Sequence, residues 1–146
     1  MLLWLILVLI LVLDQVTKYL ASINLLEGQT IPVINGIFHI TLVHNTGAAF
    51  GLFQAHSGVF VVLSIIVASL ILYLNYRWVN KGTLVTCVLA LIVGGAIGNL
   101  IDRIRLGYVV DFLDFRIWPV FNVADSAISI GTIVLIIYII KKPCSV

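Results

Sequence analysis

Charged residues are scarce in this sequence. Asp, Glu, Lys and Arg together make up 10% of its 146 residues, whereas 62% are hydrophobic. A soluble domain of this length is about one quarter charged, so this chain has too little polar surface to cover a water-soluble globule. Its mean hydropathy of +1.24 indicates instead one membrane domain over residues 1–146, with the lipid bilayer as its solvent.

Basic clusters, paired cysteines and common catalytic motifs are also lacking. A net charge of +2 with no basic stripe argues against a nucleic-acid partner. Cys87 lies in an apolar run and Cys144 near the end of the chain, which argues against a disulfide. His39, His44 and His56 lack metal-site spacing, and neither HExxH nor G-x-S-x-G occurs. We therefore expect no metal and no cofactor.

Four apolar stretches are long enough to cross a bilayer. A helix of about 20 residues is roughly 30 Å long, which matches the hydrocarbon core. The predicted spans are residues 1–20, 57–76, 83–101 and 122–140, and the outer segments are residues 21–56 and 102–121. A cleaved signal peptide is the alternative for the first span. That span has no basic start, however, and its helical pattern runs beyond any cleavage site.

The distribution of charge predicts the orientation. The eight Lys and Arg residues divide equally between the two faces, so the positive-inside rule alone does not decide. The acids decide, because all six lie at or near the face opposite the termini: Asp14, Glu27, Asp102, Asp111, Asp114 and Asp125. The bases on the terminal face (Arg77, Lys81, Lys141 and Lys142) have no acidic neighbours. We therefore expect cytoplasmic termini and a multi-pass protein that needs no second copy.

The outer segments have the alternation of strands. Asn35-Gly36 predicts a hairpin turn, because both residues tolerate a positive φ. In the strand after it, continued alternation would place Asn45 on the same face as His39 and Thr41. The result is a small outer β-sheet, with interfacial aromatic residues at Tyr108, Trp118 and Phe121.

The second outer segment alternates over residues 109–117. This pattern places Asp111 on an apolar face that continues through Leu113, Phe115 and Ile117. Asp114 and Arg116 fall on the opposite face, where a solvated ion pair is the expected arrangement. Asp111 is therefore the acid in this strand without a structural explanation.

Asp125 is the second unexplained acid. A carboxylate in the first turn of a helix is favoured by the helix dipole, and Asn122 could cap that helix. This ordinary structural role is one interpretation of Asp125. The other is functional, because inserting an ionisable group into a membrane segment costs about 2.5 to 3.5 kcal/mol.

Two further polar groups accompany these acids. Asp14 and Lys18 are four residues apart, so they share a helix face in the favoured order. Asn99, Asp102 and Arg103 cluster at the end of the third span. Gly94 and Gly98, just before them, form a small-xxx-small surface that allows another helix to approach closely.

Two carboxyl groups close together cannot both ionise readily, and one therefore keeps its proton. The ionised group can take a proton from water while the protonated group donates to a carbonyl, as in aspartic proteases. Two rivals stay open at this point, a transporter or channel with a proton relay and a structural subunit. A relay would need acids spread across the depth of the bilayer, whereas here they lie on one side.

The sequence resembles the signal peptidase II family of bacterial prolipoprotein signal peptidases. The resemblance runs from the first span to the last and is carried by DQVTK (14–18), VHNTGAAFG (43–51), GGAIGNLIDR (94–103), VVDF (109–112) and FNVADSAI (121–128).

This resemblance implies an aspartic endopeptidase of the bacterial inner membrane, with its active site at the outer face. Such an enzyme would cut prolipoproteins on the amino side of the S-diacylglyceryl cysteine, and it would bind the inhibitor globomycin. The implied catalytic pair is Asp111 and Asp125. The implied substrate-binding residues are Asn45, Asn99, Arg103 and Asn122, and the implied ordering residues are Asp14, Lys18 and Asp102. The substrate's signal helix would approach along the glycine surface of the third span.

Overall fold

A computed structural model describes residues 1–47, 57–77 and 82–141. In these ranges the elements in chain order are α1 (Leu2–Asn24), β1 (Thr30–Ile34), β2 (Phe38–Asn45), α2 (Ser57–Arg77), α3 (Thr83–Leu106), β3 (Val109–Asp114) and α4 (Val123–Lys141). The positions of His56, Lys81, Lys142, Cys144 and residues 48–51 of the second motif lie outside the described residues.

Helix α3 is the central helix and packs against each of the other three. Small residues make this packing close. A Cβ on Gly94 would stand 3.2 Å from the Cβ of Ile10 on α1, and one on Gly95 would stand 2.4 Å from the backbone oxygen of Ala124 on α4. The predicted close approach at the glycine surface is therefore confirmed. The expectation that a substrate helix approaches along it is wrong, because α1 fills that surface at Gly94 and at Gly98.

The bundle presents apolar side chains to its surroundings. Within the described residues, three helices are long and apolar enough to span a membrane: α1, α3 and α4. Helix α4 buries only small residues (Ala124, Ala127 and Gly131), while its isoleucines from Ile130 onward are exposed. Large exposed apolar surfaces of this kind fit a lipid environment, and the chain is a helical membrane protein with a small sheet.

The three strands form one antiparallel sheet in the order β1-β2-β3. The predicted hairpin is confirmed, with Ile37 N–H donating to Ile34 O at 3.0 Å across the turn. Of the two turn residues, Gly36 adopts the positive φ, +71°. Leu42 and Phe112 pack with Ala21, so the sheet sits at the C-terminal end of α1.

A bulge in β2 overturns the predicted face of Asn45. Ile40 pairs with Leu113, but Val43 pairs with Asp111, so two residues of β2 oppose one of β3 between these pairs. The extra residue reverses the alternation of the residues that follow it. Asn45 consequently lies on the Asp111 face and not on that of His39.

Strand β3 is shorter than predicted. It ends at Asp114, and the chain turns at Arg116, whose φ is +65°. Phe115 and Ile117 therefore do not continue the Asp111 face. The chain returns to β3 at Phe121, whose N–H donates to Leu113 O at 3.0 Å.

Candidate active site

A cavity of about 470 Å³ opens where the sheet meets the ends of α3 and α4. Both carboxylates singled out from the sequence, Asp111 and Asp125, line it. Asn45, Asn99 and Arg103 line it too. Four elements, β2, α3, β3 and α4, thus contribute polar groups to one space.

Asp111 is held on the sheet by two asparagines. Its side chain is 1% exposed, and its Oδ2 accepts from Asn45 Nδ2 at 2.8 Å while its Oδ1 accepts from Asn122 Nδ2 at 2.6 Å. Burial, together with the nearby charge of Asp125, raises the pKa of Asp111 to about 7, although both asparagine bonds favour the ionised form. Asp111 can therefore keep a proton near neutral pH.

Asp125 stands in the first turn of α4, held from α3 and from the helix cap. Asn99 Nδ2 donates to its Oδ1 at 2.7 Å. Its backbone N–H donates to Asn122 Oδ1 at 2.8 Å, so Asn122 caps α4 as predicted. Capping by Asn122 thus explains the position of the Asp125 backbone. It does not explain the Asp125 carboxylate, which faces the cavity that Asp111 also lines.

Asn122 links the carboxylate of Asp111 to the backbone of Asp125. It is fully buried. Its amide nitrogen donates to the carboxylate of Asp111, and its amide oxygen accepts the backbone N–H of Asp125. The same nitrogen also donates to Asn99 Oδ1 at 3.1 Å. Since one side chain bonds both partners, movement of the sheet relative to α4 is opposed by these hydrogen bonds.

A buried ionic cluster lies behind the asparagines. Lys18 Nζ is 2.8 Å from Asp14 Oδ2 and 2.8 Å from Asp102 Oδ2, and it donates to Asn99 Oδ1 at 2.9 Å. The predicted common face of Asp14 and Lys18 is confirmed. A charge buried this deeply needs such partners, because the desolvation of an isolated ion costs several kcal/mol.

The carboxylates of this cluster also fix the backbone around the cavity. Asp14 Oδ1 accepts the N–H of Ala124 at 2.9 Å, and Asp102 Oδ2 accepts that of Val110 at 3.2 Å. These backbone groups adjoin Asp125 and Asp111 in sequence. The cluster therefore fixes both elements that carry the cavity's acids, α4 and β3.

Arg103 reaches the cavity from the end of α3. Its Nη2 is 3.4 Å from the backbone oxygen of Gly47, just after β2. It places a positive charge beside the two acids, where an anionic intermediate could be stabilised. Across the described ranges, no group of three His, Cys, Asp or Glu side chains is arranged to hold a metal ion.

Sequence comparison decides the family. The sequence model described as "Signal peptidase (SPase) II" matches residues 6–141. The chain belongs to the signal peptidase II family. It is accordingly an aspartic endopeptidase of the membrane, and the family removes signal peptides from prolipoproteins.

Relatives of this family match over most of their length. The lipoprotein signal peptidase of Halothermothrix orenii is 46% identical over 136 residues, which cover 93% of each chain. That of Moorella thermoacetica is 52% identical over 128 residues, covering 87% of this chain and 85% of the relative. A solved structure titled as a bacterial membrane enzyme, determined in meso at 2.3 Å resolution, has a TM-score of 0.90 and 34% identity, covering 99% of this chain and 93% of that one.

Asp114 differs from its sequence prediction. Its ion pair with Arg116 is present, with Arg116 Nη1 2.9 Å from Asp114 Oδ2. The pair is not solvated on the acid's side, because Asp114 is 4% exposed. Burial alone would raise its pKa, but hydrogen bonds from Thr41 and Arg116 hold the pKa below the usual range. Asp114 lies outside the cavity.

Sequence reasoning missed the hydrogen bonds of Gln15 and the presence of two aromatic residues in the cavity wall. Gln15 Nε2 donates to Asp102 Oδ1 at 3.0 Å and also contacts Asp14 and the backbone oxygen of Gly98. A polar residue within the first span, inside the first family motif, was the available signal. The cavity's apolar wall includes Trp118 and Phe121, which the sequence indicated as interfacial aromatic residues.

Proposed function

We propose that this chain cleaves prolipoproteins on the amino side of the S-diacylglyceryl cysteine, with Asp111 and Asp125 as the catalytic pair. One observation carries the proposal. The two carboxylates come from different elements, β3 and α4, yet they line the same cavity, and Asn122 bonds both the carboxylate of Asp111 and the backbone N–H of Asp125. A purely structural acid does not need a second carboxylate facing the same space.

The chemistry follows from unequal protonation. One carboxyl is neutral and donates to the scissile carbonyl oxygen, while the other is ionised and takes a proton from the attacking water. The raised pKa of Asp111, about 7, supports placing the shared proton there in the resting site. Collapse of the tetrahedral intermediate breaks the C–N bond, and the amine leaves with a proton from the pair.

The surrounding polar groups have supporting roles in this proposal. Asn45 and Asn122 orient Asp111, and Asn99 orients Asp125. Arg103 adds positive charge toward the developing oxyanion. The buried cluster of Asp14, Lys18 and Asp102 orders the site without touching the substrate, because its groups bond protein atoms and lie behind the asparagines.

The proposal also includes location and partners. The polar end of the bundle faces the outside of the bacterial inner membrane, and both termini are cytoplasmic. The substrate enters laterally from the bilayer, and globomycin competes for the same cavity. One copy of the chain contains both acids and all their hydrogen-bonding partners named above, which supports action as a monomer.

The test is cleavage of a purified diacylglyceryl-modified prolipoprotein, followed as a size shift on a gel. Asp111→Asn and Asp125→Asn should each lower the rate by about 100- to 10,000-fold or more, because each removes a proton-transfer group. Arg105→Gln, at an exposed residue of α3 outside the cavity, is the control and should leave the rate unchanged. Full activity in either aspartate variant, with normal membrane insertion, would overturn the catalytic pair.

A further inference from the structure

The turn after β3 is strained. Arg116 has a φ of +65°, and the N–H of Ile117 donates to Phe115 O at 2.8 Å, which defines a γ-turn centred on Arg116. This conformation is rare for a residue with a side chain and costs free energy. It persists only when surrounding contacts hold it.

Asp114 supplies those contacts. Its Oδ1 accepts the backbone N–H of Arg116 at 2.8 Å, and its Oδ2 accepts Arg116 Nη1 at 2.9 Å. Thr41 of β2 donates to the same Oδ2 at 2.7 Å and lies 3.0 Å from the hydroxyl of Thr30 in β1. One buried carboxylate therefore ties the turn to all three strands.

The turn sets the course of the loop at 115–121. The loop leaves the sheet at Phe115 and rejoins it at Phe121, whose ring stacks on that of Phe115 with centroids 5.9 Å apart. Between them Ile117 and Trp118 are exposed. The loop lines an apolar groove of about 430 Å³, which also includes Asp125 and Ser129.

The groove adjoins the catalytic cavity. Trp118, Phe121, Asp125 and Ser129 line both. A peptide bond held at Asp125 thus has the apolar groove beside it, on the side of the 115–121 loop. In the proposed reaction the residue next to that bond is a cysteine bearing a lipid, whose acyl chains need apolar surface.

We propose that Asp114 is a positioning residue, which holds the 115–121 loop as an apolar wall against which the acyl chains of the substrate's lipid bind. This inference rests on the proposed function and deepens it. Asp114 lies outside the cavity, so it acts through the loop and does not touch the reacting atoms. Its loss should weaken substrate binding and leave the chemical step intact.

Steady-state kinetics with a diacylglyceryl-modified substrate separate these effects. Asp114→Ala should raise KM about tenfold and change kcat by less than about twofold, because it removes charged hydrogen bonds that hold the loop. Adding Arg116→Gly should recover part of the KM, because glycine adopts a positive φ without strain. Arg105→Ala, at an exposed residue of α3, is the control and should behave as wild type.

A binding measurement separates the loop from catalysis. In the Asp111→Asn background, with Trp4 and Trp78 replaced by Phe, a substrate with brominated acyl chains should quench Trp118 fluorescence. Asp114→Ala should shift the quenching curve about tenfold to higher substrate concentration. A substrate brominated in its signal helix should quench Trp118 less.

The outcomes are distinct. Absence of cleavage by the wild-type protein would refute the proposed function itself. Cleavage by wild type, with an unchanged KM and quenching curve in Asp114→Ala, would overturn this inference alone. A fall in kcat that Arg116→Gly does not rescue would show a merely structural role for Asp114, and would also overturn it.

Discussion

Gly95 offers a way to move the acid on α4 without altering any polar group. A Cβ at this position would stand 2.4 Å from the backbone oxygen of Ala124 and 2.8 Å from Cγ1 of Ile128. The nearer contact is a backbone atom, so a side-chain rotation cannot relieve it. The 2.4 Å distance is about 1 Å short of the 3.4 Å at which ordinary contact begins. Gly95→Ala must therefore displace α4 from α3 by roughly this amount.

The displacement falls next to Asp125. Asp125 is bound by Asn99 of α3, so separating the two helices lengthens this bond. The shift of α4 also disturbs the bond from the N–H of Ala124 to Asp14 of α1. A misplacement of about 1 Å at an active site can reduce the rate about 100-fold. Overpacking of this kind also destabilises a protein by about 1 to 3 kcal/mol. We expect Gly95→Ala to insert and fold, with a kcat about 100-fold lower.

The assay is prolipoprotein cleavage by purified enzyme, with thermal unfolding in detergent measured alongside. Gly58→Ala is the matched control, because a Cβ on Gly58 of α2 meets nothing within 4 Å. That variant should retain full activity. Wild-type kcat in Gly95→Ala would refute the reasoning, since the geometry of the acids would then not depend on the contact between α3 and α4.

Three further predictions concern protons, charge and metals. The kcat/KM for cleavage should fall as pH rises through about 7, because the raised pKa of Asp111 keeps its carboxyl protonated only below that value. A kcat/KM profile that stays flat up to about pH 9 would contradict this. Lys18→Met should lower the free energy of unfolding by about 3 to 5 kcal/mol, because it leaves Asp14 and Asp102 without their buried cation. Thermal unfolding measures this change, and a decrease below about 1 kcal/mol would contradict the role of the cluster. Cleavage should survive EDTA; loss of activity that added zinc restores would indicate a metal site.

The sequence predicted the parts of the site that follow from regular periodicity. Asp14 and Lys18 share a face because a helix repeats every 3.6 residues, and this spacing does not depend on the rest of the fold. Asp125 stood out because a carboxylate within a membrane segment is costly wherever that segment packs. Both conclusions rest on local chemistry.

The errors come from departures that no local pattern encodes. One extra residue in β2 turned Asn45 toward Asp111, and the alternation before the bulge gave no sign of it. The strained turn at Arg116 ended β3 early, although residues 115–117 continue the alternating pattern. In each case contacts with another strand, including the bond from Thr41 to Asp114, select the conformation. Such contacts are properties of the assembled sheet.

The bond between Asp14 and the N–H of Ala124 joins residues 110 positions apart. During synthesis α1 enters the membrane long before α4 is made. Until α4 arrives, Asp14 lacks this partner, and the chain has neither Asn122 nor Asp125 beside Asp111. If Asp111 and Asp125 form the proposed catalytic pair, the growing protein cannot cut membrane substrates while it is still being made. Packing of α4 would then be the step that completes the proposed active site.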